Sequence, residues 1–130
     1  MSKEIRILVV EPMKQPVVRY IEHTLPAMQQ VVGGLIAATY PWDDEVAVVV
    51  DDEGLLKGYM PNRALEDYDI LVGTFFICGL SKDNFDSLSD DLLEKYRQKF
   101  LWPEMFVRDQ DGRILVYRVG SGEAPMPMRH

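Results

Sequence analysis

The sequence contains little cysteine and little histidine, and this limits the chemistry that it can perform. Cys78 is the single cysteine among 130 residues, so no disulfide forms within the chain. The two histidines are His23 and His130, and no spacing of cysteine and histidine resembles a zinc site. No serine lies in a glycine-flanked elbow, and no spacing singles out a pair of carboxylates for acid–base work. We therefore expect no metal, no cofactor and no enzymatic activity.

Long apolar runs are also lacking. No stretch approaches the roughly 20 residues that cross a bilayer. The opening MSKEIRILVVEP has only a short apolar run after its charged beginning. This run is shorter than the apolar segment of a signal peptide and is typical of a first strand. We expect a cytoplasmic protein without a membrane segment.

Basic residues are scarce where acidic residues are dense. Residues 41–94 contain fourteen acids and three bases, and the whole chain has a net charge of −7. Direct binding of nucleic acid needs clustered Lys and Arg, so this composition argues against it. One interpretation is a solvated acidic surface. The alternative is a surface that occupies the basic groove of a nucleic-acid-binding protein, and its candidate residues are Asp43, Asp44, Glu45 and Asp52.

Apolar spacing and capping residues predict two helices. Apolar residues recur at spacings of three and four after Pro16: Val18, Ile21, Leu25, Met28 and Val32. They predict one helix of about 16 residues, kinked or split at Pro26 and ended by Gly33-Gly34. The segment SLSDDLLEKYRQKF, residues 87–100, predicts a second helix with a serine cap, acids in its first turn and bases in its last.

Runs rich in β-branched and aromatic residues predict strands at 5–11, 35–41, 45–52, 55–60 and 68–80, and a hairpin at 106–119. Consecutive strands with short links favour antiparallel pairing. The predicted fold is therefore α+β: one domain at residues 1–119, with a mostly antiparallel sheet of about 5–7 strands and both helices on one face. The Gly/Pro-rich tail, residues 120–130, is predicted to be disordered.

The segment PNRAL, residues 61–65, places Asn62 and Arg63 in a predicted loop between two apolar runs. The five N–H donors of Arg63 suit a carboxylate or a phosphate. A structural interpretation is that Arg63 pairs with a neighbouring acid and fastens the loop to the turn at 51–54. The candidate partners are Asp51, Glu53, Glu66 and Asp69. The alternatives are a pocket in which Asn62 and Arg63 bind a small anion, and a protein interface.

Several motifs occur in an order that resembles a known family. They are ILVVEP, LPAMQQVVGGLIAATYP, DDEG, PNRAL, YDILVGTFFI and SLSDDLLEKY, and the most specific parts are VGG, EG, NRA and GTFFI. Over about residues 4–105 they resemble a bacterial domain family of unknown function, family 3846. The resemblance implies a small protein of a phage, plasmid or conjugative element. Such proteins commonly act as accessories, including as inhibitors of host defence.

The resemblance also selects candidate residues. Four residues match the family's pattern and are the first site candidates: Glu53, Gly54, Asn62 and Arg63. The chain departs from the pattern at Ala37, where the family usually has glutamate, and at Asp51, where it usually has asparagine. If the two usual polar residues belong to one site, that site is altered here.

The favoured hypothesis is a small non-enzymatic protein of a phage or mobile element that binds a protein partner stoichiometrically. The partner would be a host-defence component, contacted through the acidic surface. The alternative is a protein that sequesters a small nucleotide-like anion through Asn62 and Arg63. A monomer and a homodimer both stay open, because only the edge strands and the second face of the sheet decide between them.

Overall fold

The computed structural model describes residues 3–82 and 84–129. Within these ranges the chain forms eleven strands and two helices. In chain order they are β1 Glu4–Val10, β2 Val17–Glu22, α1 Leu25–Val32, β3 Ile36–Thr39, β4 Val46–Asp51, β5 Pro61–Leu65, β6 Asp69–Val72, β7 Phe75–Ser81, β8 Asn84–Asp86, α2 Asp90–Lys99, β9 Glu104–Arg108, β10 Ile114–Arg118 and β11 Met126–Pro127.

The centre of the fold is an antiparallel sheet in the strand order β2-β1-β7-β4-β3, which β8 extends beside β7. The strands β1, β4 and β7 are apolar nearly throughout because both of their faces are buried. Two small sheets, β5-β6 and β9-β10-β11, complete the molecule. The predicted α+β class, with one compact domain and a mostly antiparallel sheet, is confirmed.

The two helices cover opposite faces of the central sheet, so the prediction that both cover one face is wrong. Successive side chains of a strand point to opposite faces. Ile7 and Val9 of β1 therefore pack in the cluster that contains Met28 of α1. Leu8 and Val10 pack in the other cluster, which contains Tyr96 of α2.

The single helix predicted after Pro16 is divided in the structure. Val17–Glu22 is strand β2, and α1 begins after Thr24, whose side chain accepts a hydrogen bond from the N–H of Ala27 at 3.3 Å. Pro26 lies in the first turn of α1, where its missing N–H costs nothing. The proline therefore marks the start of the helix rather than a kink within it.

The middle of the chain differs most from expectation. Residues 55–60 do not form a strand; a turn at residues 52–58, here named the leucine turn, contains most of them. Residues 61–65, predicted as a loop, form β5 and pair with β6. The long strand predicted at 68–80 is divided into β6 and β7, because Gly73 has a φ of 70° and turns the chain between them.

The C-terminal tail is ordered where the structure describes it, so the prediction of disorder is corrected there. Met126–Pro127 pair with β10 and extend the predicted hairpin of β9 and β10. Met128 is buried in a cluster with Ala64 and Val116. One apolar side chain therefore fixes the tail, which its glycine and proline content concealed. His130 lies outside the described residues.

Candidate functional site

Asn62 lies near the start of β5 and fastens it to the central sheet. Its side chain is fully buried, and Nδ2 donates to the carbonyl of Val10 at 2.9 Å and to that of Gly73 at 2.8 Å. Val10 is the last residue of β1, and Gly73 separates β6 from β7. One amide therefore holds three segments of the chain together.

Arg63 is fully buried, and each of its five N–H donors has an acceptor. Nε donates to the carbonyl of Phe100 at 3.2 Å. Nη2 donates to the same carbonyl at 3.0 Å and to that of Lys14 at 2.7 Å. Nη1 donates to Asn62 Oδ1 at 2.8 Å and to the Asn62 carbonyl at 3.4 Å. The guanidinium thus connects β5 to the end of α2 and to the β1–β2 link.

The positive charge of Arg63 is balanced by dipoles. Burial lowers the pKa of Arg63 to about 10, and the negative charge of Glu104 opposes that decrease. Phe100 caps the C-terminus of α2, where the aligned peptide dipoles leave partial negative charge. At neutral pH the guanidinium remains protonated while buried, a costly state that its complete set of hydrogen bonds makes tolerable.

The prediction that Arg63 pairs with a neighbouring acid is wrong. Its acceptors are four oxygens of Phe100, Lys14 and Asn62. The acids named as candidates were Asp51, Glu53, Glu66 and Asp69. The geometry gives no support to a ligand role for Asn62 and Arg63. Both side chains have no exposed surface, and an anion would have to displace acceptors already in place. The contacts of this pair are those of a structural fastening.

Asp51, at the end of β4, forms a second buried polar cluster. Its side chain is 1% exposed, and Oδ2 accepts from Lys57 Nζ at 2.7 Å and from the Tyr59 hydroxyl at 2.9 Å. Oδ1 accepts from the N–H of Glu53 at 2.9 Å. Burial acts to raise the pKa of Asp51, but the hydrogen bonds from Lys57, Glu53 and Tyr59 outweigh it and hold the pKa below its ordinary value.

Gly33 and Gly34 allow the chain to approach this carboxylate closely. Gly33 ends α1 with a φ of 95°, as the sequence predicted, and its carbonyl accepts from Lys57 Nζ at 3.1 Å. A Cβ on Gly34 would overlap Lys57 Nζ and lie 2.8 Å from Asp51 Oδ2. The pair is therefore needed for space and backbone conformation beside Asp51.

Gly54 follows Glu53 at the start of the leucine turn and is buried. Gly54 does not adopt a positive φ. Instead, a Cβ there would lie 3.2 Å from Val72 Cγ2 and 3.3 Å from Tyr59 Cδ2. The Tyr59 ring also lies against Gly73, whose carbonyl accepts from Asn62. Tyr59 and Gly73 thus join the Asp51 cluster to the Asn62–Arg63 cluster.

The leucine turn presents two apolar side chains to solvent although main-chain hydrogen bonds close it. The N–H of Lys57 donates to the Glu53 carbonyl at 2.9 Å, and the N–H of Gly58 donates to the Leu55 carbonyl at 3.2 Å. Leu55 is 81% exposed and Leu56 is 86% exposed. Isolated exposed leucines are ordinary, whereas two adjacent ones in a fixed turn form a contiguous apolar patch.

An open cavity of about 440 Å³ adjoins the leucine turn. Apolar side chains form most of its wall, and its charged lining residues are all acidic: Asp51, Asp52 and Asp69. Ala37 of β3 also lines it. Ala37 and Asp51, the two positions at which the resemblance implied a departure from the family's pattern, therefore lie in the wall of one cavity. Sequence reasoning missed this cavity and both leucines, although Gly54 and Gly58 on either side indicated a turn.

The four residues predicted as an acidic surface lie at the two ends of β4, about 15–20 Å apart along the strand. Asp43, Asp44 and Glu45 precede β4, and Asp52 follows it. Asp44 Oδ2 accepts from Lys95 Nζ at 2.6 Å and from the Tyr96 hydroxyl at 2.7 Å, and these bonds lower the pKa of Asp44. The set is therefore not one continuous surface.

About half of the described acids in residues 41–94 are paired with a base within the fold. Of the thirteen described acids of this acidic segment, seven form ion pairs: Asp44, Asp51, Glu66, Asp67, Asp86, Asp90 and Glu94. Except for Lys57, the paired bases lie outside residues 41–94. Part of the charge asymmetry of the sequence is thus compensated by ion pairs between the acidic segment and the rest of the chain.

The described residues contain no group of three or more His, Cys, Asp and Glu side chains that could hold a metal ion. Cys78 is buried, and burial raises the pKa of its thiol to about 12, so it remains a protonated core residue at neutral pH. None of the helices in the described ranges is long and apolar enough to cross a membrane.

These features define a small α+β protein in which two buried polar clusters support an exposed apolar turn. Residues 5–101 match the family described as a domain of unknown function (DUF3846), and the chain belongs to this family. The resemblance drawn from the motifs is confirmed. No curated protein and no solved structure matched the chain.

The most specific family motifs meet around the two polar clusters. VGG contributes Gly33 and Gly34 beside Asp51, and EG contributes the Glu53 N–H bond to Asp51. NRA and GTFFI meet where Asn62 donates to the Gly73 carbonyl. The motif residues therefore fix both ends of the leucine turn rather than line an obvious ligand site.

Proposed function

We propose that this protein is a non-enzymatic binding protein that recognises a protein partner through the leucine turn. The contact surface comprises Leu55, Leu56, the adjoining cavity and three exposed carboxylates, Asp52, Glu53 and Asp69. The observation that carries the proposal is the high exposure of both leucines in a turn whose two ends are fixed by buried polar contacts. A prearranged surface loses little conformational entropy on binding.

The chemistry of this surface indicates what it would bind. Full burial of each leucine contributes about 1.5–3 kcal/mol, so the pair supplies the apolar centre of an interface. The surrounding carboxylates attract a basic partner and speed its association. The partner is therefore expected to present an apolar side chain with Lys or Arg beside it.

A small nucleotide-like anion fits this surface poorly. The cavity is open to solvent, whereas small-molecule sites enclose most of their ligand. Its charged lining residues are carboxylates, which repel an anion. A macromolecular partner satisfies both properties of the surface.

A more specific form of the proposal follows what the resemblance of the motifs implied. In that form the chain is a protein of a phage or mobile element, and its partner is a cytoplasmic host-defence component that it inhibits stoichiometrically. The proposed contact surface is centred on the leucine turn. Asp43, Asp44 and Glu45 lie at the other end of β4 and are not part of it.

The test compares a double variant, Leu55→Ser with Leu56→Ser, with a matched control, Met105→Ser with Val107→Ser. Met105 and Val107 are 46% and 42% exposed on β9, away from the leucine turn. Each purified protein is immobilised, exposed to lysate of the bacterial host, and its captured proteins are quantified by mass spectrometry. The captured amount of a specific partner should fall at least about tenfold with the leucine variant and should be unchanged with the control.

A second measurement uses that partner in purified form. Asp52→Asn with Asp69→Asn should slow association at low salt and reduce the salt dependence of the rate, since exposed carboxylates act mainly on the encounter. If every specifically captured protein binds the leucine variant as well as the wild type, the leucine turn is not the binding surface and the proposal is wrong.

A further inference from the structure

Strand β2 forms an open edge of the central sheet, and the hydrogen bonds show which of its groups face outward. The N–H of His23 donates to the Lys3 carbonyl at 2.7 Å, in register with the pairing of Ile21 with Ile5. In an antiparallel pair, every second residue bonds to the neighbouring strand. Odd-numbered residues of β2 therefore bond to β1. The N–H and C=O groups of Val18, Tyr20 and Glu22 therefore do not bond to β1. The Glu22 carbonyl accepts from the N–H of Thr24 at 2.8 Å, which leaves one of its two lone pairs for a further donor.

This edge lacks most of the features that protect edge strands from pairing. β2 has six residues and contains no proline, lysine or described bulge. Val17 is 46%, Val18 43% and Tyr20 60% exposed. The opposite edge strand, β3, has four residues. β2 is therefore the longer of the two open edges of this sheet.

We propose that two copies of this chain pair through β2, antiparallel about a twofold axis, so that Tyr20 lies opposite Tyr20 of the second copy. A twofold axis requires that the same residues meet on both sides. The outward groups of Val18 then bond to those of Glu22 of the second copy, and Tyr20 bonds to Tyr20. Every outward N–H and C=O of the strand obtains a partner.

Charge and sequence select this register over its neighbours. The outward-facing residues of β2 are the even-numbered ones. The pairing can therefore shift only by two residues at a time, so that even-numbered residues stay opposite even-numbered residues. A shift toward the N-terminus would place Arg19 opposite Arg19 and Pro16, which has no N–H, opposite Glu22. One step toward the C-terminus would place Ile21 at the axis and leave only Tyr20–Glu22 of the strand paired, and a second step would place Glu22 opposite Glu22. With Tyr20 at the axis, Arg19 lies opposite Ile21 and Glu22 lies opposite Val18, so no like charges are directly opposed.

The flanks of the strand add to the contact, and its size sets the strength of the dimer. Met13 and Leu25, beside the two ends of β2, are 44% and 54% exposed. A strand pair of this length with these flanks buries on the order of 500 Å² per chain, below the approximately 800 Å² per partner of a standard interface. A reversible, concentration-dependent dimer is therefore expected. Since β3 and β2 lie at opposite edges of the sheet, both copies keep their leucine turns free.

The experiment uses charge at Tyr20, the residue on the axis. Sedimentation of the wild-type chain from about 10 to about 500 µM should show a mass that rises from one chain toward two. Y20E alone and Y20K alone should remain monomeric, because each places like charges opposite each other. An equimolar mixture of Y20E and Y20K should restore the dimer, because opposite charges then meet.

The matched control is Y40E. Tyr40, next to β3, is 58% exposed, close to the 60% of Tyr20, so Y40E places the same charge at a similarly exposed tyrosine near the opposite edge of the sheet. Y40E should dimerise as the wild type does. Circular dichroism and thermal unfolding establish that the variants are folded. Hydrogen exchange should show the amides of Val18, Tyr20 and Glu22 protected at high concentration and exchanging faster in Y20E.

Three outcomes would overturn the proposal. If the wild-type chain stays monomeric over the whole concentration range, β2 does not pair with a second copy, and it would pair with a strand of another protein or with none. A dimer abolished by Y40E and not by Y20E would place the contact at β3. Failure of the Y20E and Y20K mixture to associate would exclude the register with Tyr20 at the axis.

Discussion

At the scale of single residues, Arg63 holds oxygens from three separate segments of the chain. We predict that Arg63→Ala lowers the free energy of unfolding by about 3–5 kcal/mol. The truncation leaves a cavity, and it leaves the Phe100 and Lys14 carbonyls and Asn62 Oδ1 without their donor. Urea unfolding followed by tryptophan fluorescence measures the change.

Two further variants make that test specific. Arg63→Lys keeps the charge but has fewer donors, so it should lose an intermediate amount of stability. Arg113→Ala, at a side chain that is 55% exposed, should change the free energy of unfolding by less than about 0.5 kcal/mol. If Arg63→Ala unfolded at the wild-type midpoint, the structural role derived for the guanidinium would be wrong.

Asp51 makes a prediction about pH. Burial raises its pKa, but the hydrogen bonds from Lys57, Glu53 and Tyr59 prevail and depress it in the folded state. The unfolded chain therefore takes up this proton at a higher pH than the folded chain does. The resulting stability is complete above the unfolded pKa, near 4, and is lost as the pH falls through the folded pKa.

We therefore predict that Asp51→Asn is less stable than the wild type by an amount that is constant above about pH 5 and shrinks below about pH 4. Urea unfolding of both proteins between about pH 2.5 and 7 measures that difference. Asp52→Asn, at the exposed neighbour, serves as the control and should show a small difference. A difference for Asp51→Asn that persists unchanged to the lowest pH would contradict the depressed pKa.

Sequence reasoning could identify Asn62 and Arg63 as unusual, because a polar pair between apolar runs needs an explanation. It could not identify their partners. Phe100 is 37 positions from Arg63, and a main-chain carbonyl has no signature in the sequence. Leu55 and Leu56 were missed for the opposite reason, because adjacent leucines in an apparent strand are expected to be buried.

At the scale of elements, the tail shows how one side chain can order a segment. Met128 is 8% exposed beside Ala64 and Val116, and its N–H donates to the Ile114 carbonyl at 2.9 Å. We predict that Met128→Ala lowers the free energy of unfolding by about 2–3 kcal/mol, because it removes most of a buried side chain. Urea unfolding measures this.

The matched control for the tail is Met105→Ala, at a methionine that is 46% exposed on β9. It should cost less than about 1 kcal/mol, since little apolar area returns to water. Equal losses for the two variants would show that Met128 is not held in the small cluster and that the tail is less ordered than described.

Elements with local end signals were predictable, and elements defined by distant contacts were not. Helix α2 carries its own cap, Ser89, and complementary charges at its two ends. Strand β2 has no such signal. Its apolar residues fit a helical spacing, and only its pairing with β1 makes Val17–Glu22 a strand. Likewise, β5 is a strand through its pairing with β6, and the Asn62 and Arg63 side chains fasten it to distant carbonyls.

At the scale of the whole molecule, the fold brings together charges that the sequence separates. The acidic segment receives most of its paired bases from the two ends of the chain and from α2 and its end. The net charge of a segment therefore does not tell where unpaired charge lies on the folded surface. The exposed acids that remain near Leu55 and Leu56 become informative only when the fold is known.

The architecture also implies that stability is uneven. Strands β1, β4 and β7 lie between two large apolar clusters, whereas the sheet of β9, β10 and β11 rests on a cluster of three buried residues, Ala64, Val116 and Met128. Segments with few buried apolar contacts open at lower free energy than the whole protein unfolds. The two sheets should therefore behave as separate cooperative units.

We predict that native-state hydrogen exchange resolves these units. Amides of β1, β4 and β7 should exchange only through global unfolding, while those of β10 should exchange through an opening of lower free energy. Met128→Ala should lower the opening free energy of β10 amides, and Leu8→Ala should accelerate both groups because Leu8 lies in a cluster of the central sheet. If β10 and β7 amides shared one opening free energy in every variant, the C-terminal sheet would belong to the global unit, and the small cluster at Met128 would be coupled to the main core through β5.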